Sequence, residues 1–284
     1  MSEYYKNVTD YFNNKADQYD NVDEQLYWVL SDRFYKEVLK REFGGFISNK
    51  HELKILDAGA GTGRWTLFFH ELFSSESQKI SGTLIDISAD MLRVAEKKLS
   101  EKNLASVYNT IVGNIEEMND VSDNVYDVSL SFYNVLSFVE KPEKAVAEIS
   151  KKLKTGGVHI SVVGNTYHAL YFSVLTGRTS EIDRITNESK IAFNDLMPPM
   201  HCFTPAELKN LYLNNGFNEV VVMGGPNFMY PGMEETFIKG QTEIIVSKLA
   251  DDAMLKKILD AELSMYCQPE IVGRGNTLIA FATK

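Results

Sequence analysis

Two hydrophobic periods alternate along the chain: short runs rich in β-branched residues, and longer stretches in which apolar side chains recur every third or fourth position. This alternation predicts an α/β fold. LKILDAG at 53–59, ISGTLIDI at 80–87, YNTIVGNI at 108–115, VYDVSLSF at 125–132 and GVHISVVG at 157–164 read as five strands. Between them, Leu92, Ala95 and Leu99 share one helical face behind Ser88, whose hydroxyl suits an N-cap. Val146, Ile149 and Leu153 do the same after Pro142, a first-turn proline, and Gly156-Gly157 is expected to stop that helix. Strands alternating with helices imply a doubly wound, mostly parallel sheet with right-handed crossovers. FNEVVVMGG at 217–225 and NTLIAFAT at 276–283 bring the expected count to seven strands.

Three regions fall outside this alternation. Leu26, Leu30, Phe34 and Val38 mark a helix expected to end at Gly44-Gly45 and to pack on or over the sheet, so residues 1–50 read as an N-terminal helical cap. Insertions at about 165–203 and 226–275 interrupt the remaining domain, 51–284, and Ile245, Leu249, Leu255, Ile258 and Leu259 predict helix in the second. Connections of that length usually carry structure or function of their own. With no internal repeat or low-complexity linker, the two insertions read as helical lids on one domain.

Composition narrows the setting. A chain of 284 residues, 44% hydrophobic and 24% charged, can bury a sizeable core, and no apolar run approaches the roughly 18 residues of a membrane span. The polar, acidic start lacks the pattern of a secretory signal, which predicts a cytoplasmic protein without a membrane partner. Cys202 and Cys267 are too few for a disulfide framework or a thiolate metal site and read as packed thiols. A net charge of −10 without a basic stripe argues against a nucleic-acid partner.

The segment ILDAGAGTGRW, residues 55–65, carries the chemistry: an apolar strand runs into Gly59, Gly61 and Gly63 at alternate positions, where a ligand can approach the backbone closely. A dinucleotide fingerprint would require glycine where Arg64 stands, and the Lys-Ser/Thr of a phosphate-binding P-loop is missing. The second strand ends in Asp86, a carboxylate able to accept both hydroxyls of a ribose. A tight turn and a helix cap would use the same residue types.

Taken together, the GxGxG loop behind Asp57 and the acid of LIDIS resemble the first motifs of class I S-adenosylmethionine-dependent methyltransferases of the small-molecule type. The resemblance covers about 50–165 well, and the strand near 220 and the end of the chain more weakly. It implies a Rossmann-like methyltransferase fold with S-adenosyl-L-methionine as cofactor. Gly59, Ala60, Gly61 and Gly63 would make room for its methionyl part while Asp57 orients the loop and holds the amino group. Asp86, with Ile87 beside it, would take the ribose, and Met91 would lie on the adenine. Asn114, followed by Ile115, would accept from the adenine amino group, where the family more often has aspartate. Phe132, Tyr133 and Asn134 would surround the reacting methyl, although core packing serves Phe132 equally well. Tyr19-Asp20 resembles a Tyr-Asp pair found ahead of the core in small-molecule members. Tyr11 and Tyr19 would either close over the cofactor or pack an amphipathic helix with Phe12 and Ala16.

A sulfonium methyl is already electrophilic, so such an enzyme mainly aligns a nucleophile and excludes water. An oxygen or nitrogen acceptor would still need a base, and histidine is the natural candidate. His51, His70 and His159 fall on structural positions, whereas His168 and His201 lie in the first insertion, His201 beside the helix start Phe203-Thr204-Pro205 and behind Pro198-Pro199. His201, His168 and Tyr133 are therefore the catalytic candidates, and the same three with Asn134 the substrate-contacting set. Packing against lid backbone explains the histidines as well. Aromatic and methionine side chains of the insertions, including Tyr171, Phe172, Phe193, Tyr230 and Met233, either line an acceptor pocket or form a satellite core. No clustered carboxylates suggest a metal. The expectation is methyl transfer to an O or N nucleophile of a small molecule, of the kind found in secondary metabolism. A protein or RNA methyltransferase and an inactive S-adenosylmethionine-binding protein stand as alternatives. The acceptor's identity and the oligomeric state are left open.

Overall fold

The computed structural model describes residues 2–47, 50–75, 78–229 and 246–284. Helix α1 (Glu3–Asn13), a 3-10 segment (Ala16–Glu24) and α2 (Leu26–Ile47) precede the alternating core. That core runs β1 (Glu52–Ala58), α3 (Arg64–Phe73), β2 (Lys79–Asp86), α4 (Ala89–Glu101), β3 (Tyr108–Val112), β4 (Tyr126–Ser131), α5 (Pro142–Lys152) and β5 (Leu153–Asn165). Then come α6 (Thr166–Leu175), α7 (Thr179–Glu188), β6 (Lys190–Ile191), β7 (Met200–Phe203), α8 (Pro205–Leu213), β8 (Glu219–Gly225), α9 (Asp252–Leu263), α10 (Pro269–Val272) and β9 (Thr277–Thr283).

The principal sheet is ordered β3-β2-β1-β4-β5-β9-β8, and β9 alone runs opposite to the other six. These are the seven strands expected. Strand residues alternate between two buried faces, which is why the strands read as nearly continuous apolar runs. Ile55, Leu84, Val128 and Ile160 face a core covered by α2 and α3, with Phe34, Val38, Phe43 and Phe69. Leu56, Ile85 and Val163 face the other, with Val146 and Ile149 of α5 and Leu208 and Tyr212 of α8. Ser88 caps α4 by accepting from the Met91 N–H, and Thr204 and Glu207 close a capping box on α8.

Three local expectations change. Helix α2 continues through Gly44-Gly45 to Ile47 because Phe43 and Ile47 are buried on the sheet while both glycines face open space. Gly156-Gly157 lie inside β5, which follows α5 without a loop; the pairing register with β4 shifts between Tyr126 and Val128, and Gly156 absorbs the irregularity at φ +74. Residues 165–203 contain two further strands, bringing the sheet to nine among the described residues. Gly164 of β5 pairs with β9 on one side and β7 on the other, so β7 fills the lane beyond the end of β4. This insertion has its own core of Ala169, Ile185, Ile191, Met200 and Cys202.

Of the second insertion, α9 packs on α2 through Leu255 against Tyr27 and Leu30; Tyr230, Met233 and Ile245 lie outside the described residues. Cys202 is buried and Cys267 exposed, both free. Among the described residues no helix is long and apolar enough to cross a membrane.

Candidate functional site

The site begins where β1 ends. The chain turns through Gly59, Gly61 and Gly63 with φ of +86, +53 and +69, a left-handed path that favours glycine at each step. A Cβ on Gly59 would overlap the Val135 side chain, whereas one on Gly61 would point into open space. The Gly59 and Ala60 N–H groups donate to the Ile85 carbonyl at 2.8 and 3.0 Å, joining the loop to the end of β2. Asp86 locks the same junction, its carboxylate accepting from the Gly61 N–H and the Ser88 N–H, both at 2.8 Å. Burial pushes the Asp86 carboxyl up, and pushes that of Asp57, which accepts from the Thr66 hydroxyl, up to about 7.

Above this loop lies a cavity. Asp57, Gly59, Ala60 and Gly61 line it from the loop; Asp86, Ile87, Met91, Asn114 and Ile115 from the β2–β3 side; Arg64, Trp65, Phe132 and Tyr133 from the β4 side. Tyr5, Val8, Phe12 and Tyr19 of the N-terminal segment also line it, and polar contacts tie that segment to the core. The Tyr5 hydroxyl donates to Glu116 and accepts from the Glu140 N–H at 3.0 Å. Asn13 accepts from Ser88, Asp20 from Thr62 at 2.7 Å, and Asp17 from Arg93 at 2.8 Å. Sequence reading missed these tethers, although Asp17, Asp20 and Asp23 recur at a helical spacing that signals one acidic face.

A second missed feature is Arg64, which sequence reading used only to exclude a dinucleotide motif. Its side chain is 5% exposed and pairs with Asp32 of α2 and Asp23 of the 3-10 segment. Tyr133 donates its hydroxyl to the same Asp32. Burial alone would pull the Arg64 guanidinium down, but its bonds to the two carboxylates outweigh that and raise it; burial and Asp32 hold the Tyr133 phenol neutral, well above its ordinary range. Tyr133 and Asn134 are both left-handed, at φ +54 and +68, and Trp28 and Tyr35 pack edge-on against the Tyr133 ring. Trp65 stacks on Phe132 with ring centroids 4.1 Å apart.

Residues 55–157 match a methyltransferase domain family. A ubiquinone/menaquinone biosynthesis C-methyltransferase UbiE of Rickettsia bellii is 27% identical over 225 residues, spanning 75% of this chain and 85% of its own. The chain carries a class I S-adenosylmethionine-dependent methyltransferase domain. Among solved structures, an S-adenosylmethionine-dependent methyltransferase of Thermotoga maritima has a TM-score of 0.56 at 17% identity, covering 97% of this chain and 99% of that one. Geranyl diphosphate C-methyltransferase of Streptomyces coelicolor A3(2) has a TM-score of 0.56 at 13% identity, covering 100% and 98%. At these identities the two structures are similar in fold. The methyltransferase uses S-adenosylmethionine, and the cavity's groups fit that molecule: a glycine cradle open at Gly61, a carboxylate at Asp86 and aromatic walls for a sulfonium.

Twelve of the residues expected at the site line the cavity: Asp57, Gly59, Ala60, Gly61, Asp86, Ile87, Met91, Asn114, Ile115, Phe132, Tyr133 and Tyr19. Five others are placed elsewhere. Gly63 is the N-cap of α3, with Ala95 and Leu84 against its Cα; Tyr11 packs outside, with the Lys15 ammonium 4.2 Å from its ring centre. Asn134 starts a 3-10 turn and donates its N–H to Val162 at 2.8 Å. His168 is buried beside Phe172 and Phe193 in the insertion, and His201 lies on β7 with its ring near-parallel to Phe203. Neither histidine lines the cavity. Burial, joined at His201 by the Lys190 charge, pushes both down to about 4. The 165–203 insertion contributes no lining residue and meets the cavity wall through Phe138.

Proposed function

We propose that this methyltransferase transfers the methyl group of S-adenosylmethionine to a small, largely apolar acceptor enclosed between the glycine loop and the N-terminal segment. The observation that carries the reading is the cover itself: Tyr5, Val8, Phe12 and Tyr19 meet Phe132, Phe138 and Val139 around one cavity, which suits a small molecule better than a polypeptide or RNA. In this reading residues 1–50 are a cap on a catalytic domain at 51–284. The relatives named as C-methyltransferases widen the acceptor from oxygen or nitrogen to include carbon, as in the ring of a quinone precursor.

When bound, S-adenosylmethionine supplies a methyl group activated by a positively charged sulfur. Asp86 would accept from the ribose hydroxyls, and Met91, Ile87, Ile115 and Asn114 would hold the adenine. Gly61 leaves its Cα side free for the chain that carries the sulfur. Trp65, Phe132 and Phe12 exclude water from the reacting atoms. Of the three catalytic candidates, Tyr133 alone lines the cavity, and its hydroxyl, held by Asp32, orients the acceptor. The test is a screen of quinols, isoprenoids, phenols and amines with S-adenosylmethionine, followed by S-adenosylhomocysteine release and mass analysis of the acceptor. A methylated small molecule is the expected result. Methyl label found only in protein or RNA would overturn the reading.

A further inference from the structure

Arg64 is a buried cation that lines the cavity and is matched by two carboxylates, not one. They are unequal. Asp32 is 7% exposed, sits on α2 and also accepts the Tyr133 hydroxyl, so removing it from Arg64 would strand a buried charge. Asp23 is 49% exposed, comes from the N-terminal 3-10 segment and accepts from Arg64 Nε at 2.8 Å; released, it can return to water at little cost. A guanidinium grips carboxylates through paired N–H donors, and Asp32 and Asp23 already occupy most of them. A further carboxylate entering the cavity would have to displace one, and Asp23 is the one that leaves easily.

We propose that Asp23 is a built-in stand-in for a ligand carboxylate: the amino-acid end of the cofactor takes its place on Arg64 and, in doing so, releases this tether of the N-terminal cap. The proposal rests on the reading that this cavity holds S-adenosylmethionine. It links occupancy to cap opening on one side only, because Asp20 on Thr62 and Tyr5 on Glu116 are untouched by the exchange.

Replacing Arg64 would leave Asp32 buried and unpaired and endanger folding, so the informative change is Asp23→Asn at a half-exposed position. Calorimetry would compare two probes at one salt concentration: S-adenosylhomocysteine, which has the amino-acid carboxylate, and 5′-methylthioadenosine, which has the same nucleoside thioether without it. Asp23→Asn is expected to bind S-adenosylhomocysteine about threefold or more tighter than wild type, with methylthioadenosine changed by less than about twofold. Arg64→Lys, which keeps the charge but not the fork, is expected to lessen the preference for S-adenosylhomocysteine. An equal gain for both probes would overturn the proposal, since Asp23 would then merely obstruct the entrance. Unchanged or weaker S-adenosylhomocysteine binding in Asp23→Asn would also overturn it. Wild type binding neither probe would instead sink the cofactor reading on which the exchange depends.

Discussion

Gly59 and Gly61 stand two residues apart in the same loop, yet alanine should damage them in different ways. Both hold φ in the left-handed region, which costs an L-residue about 1–2 kcal/mol. At Gly59 the new methyl would also overlap Val135, with its Cγ2 at 2.7 Å, next to the left-handed pair Tyr133-Asn134 that leaves little freedom to retreat. Overpacking of this kind adds about 1–3 kcal/mol, so Gly59→Ala should cost about 2–5 kcal/mol in all. At Gly61 nothing lies within 4 Å of the methyl, and only the conformational cost applies. For a chain of this size each kcal/mol moves the melting temperature by roughly 2–4 °C. Thermal melts without ligand should therefore fall by about 4–20 °C in Gly59→Ala and by about 2–8 °C in Gly61→Ala. Calorimetry with S-adenosylmethionine should show the reverse emphasis, Gly61→Ala losing about tenfold or more in affinity because its methyl occupies the cofactor's side of the loop. Normal affinity in Gly61→Ala, or an equal melting temperature for the two variants, would refute this division of roles.

Three further outcomes follow from the structure. His159 is fully buried in β5, and burial pushes it down to about 3. Its unfolded form binds a proton first as pH falls below roughly 6.5, so stability present above that value is lost toward pH 3, about 2 kcal/mol of it by pH 5. His159→Leu should flatten the fall in melting temperature between pH 7 and 5, and an unchanged slope would contradict this origin. Asp57 has the opposite sign: a carboxyl raised to about 7 in the folded state loses stability as pH rises from roughly 4 through 7. Asp57→Asn should thus melt higher than wild type at pH 8, with the gap closing at pH 5; a gap independent of pH would count against it. Thr204→Ala removes the capping box of α8 at a cost of about 1 kcal/mol, read as a melting temperature lower by a few degrees with S-adenosylmethionine affinity unchanged, because α8 does not reach the cavity. A loss of affinity would show that α8 couples to the site.

What could be read from the sequence was what is local in it. The central strands announce themselves because both sheet faces are buried, and the glycine loop with Asp86 is legible because a short stretch of chain carries the whole device. The cap tethers and the Arg64–Asp32–Tyr133 cluster are assembled from positions 32 to 135 residues apart, and no period relates them. His168 follows the end of β5 closely in sequence and His201 sits on β7 far beyond it, but the lane into which β7 inserts decides where they face, and two-residue pairings such as Lys190–Ile191 are too short to leave a pattern. Gly44-Gly45 and Gly156-Gly157 failed as stop signals for one reason: packing of Phe43 and Ile47, and pairing of β5, outweigh a local preference of about 1 kcal/mol.

The central claim is that the cavity beneath the N-terminal segment binds S-adenosylmethionine with Asp86 as its anchor. Calorimetric titration of S-adenosylmethionine into wild type and Asp86→Ala tests it most directly, alongside ligand-free melts that register the lost bonds to Gly61 and Ser88. Charge-assisted hydrogen bonds contribute about 1.5–3 kcal/mol each, so wild type is expected to show one site and a folded Asp86→Ala an affinity lower by about tenfold or more. Equal affinity in a folded Asp86→Ala would contradict it.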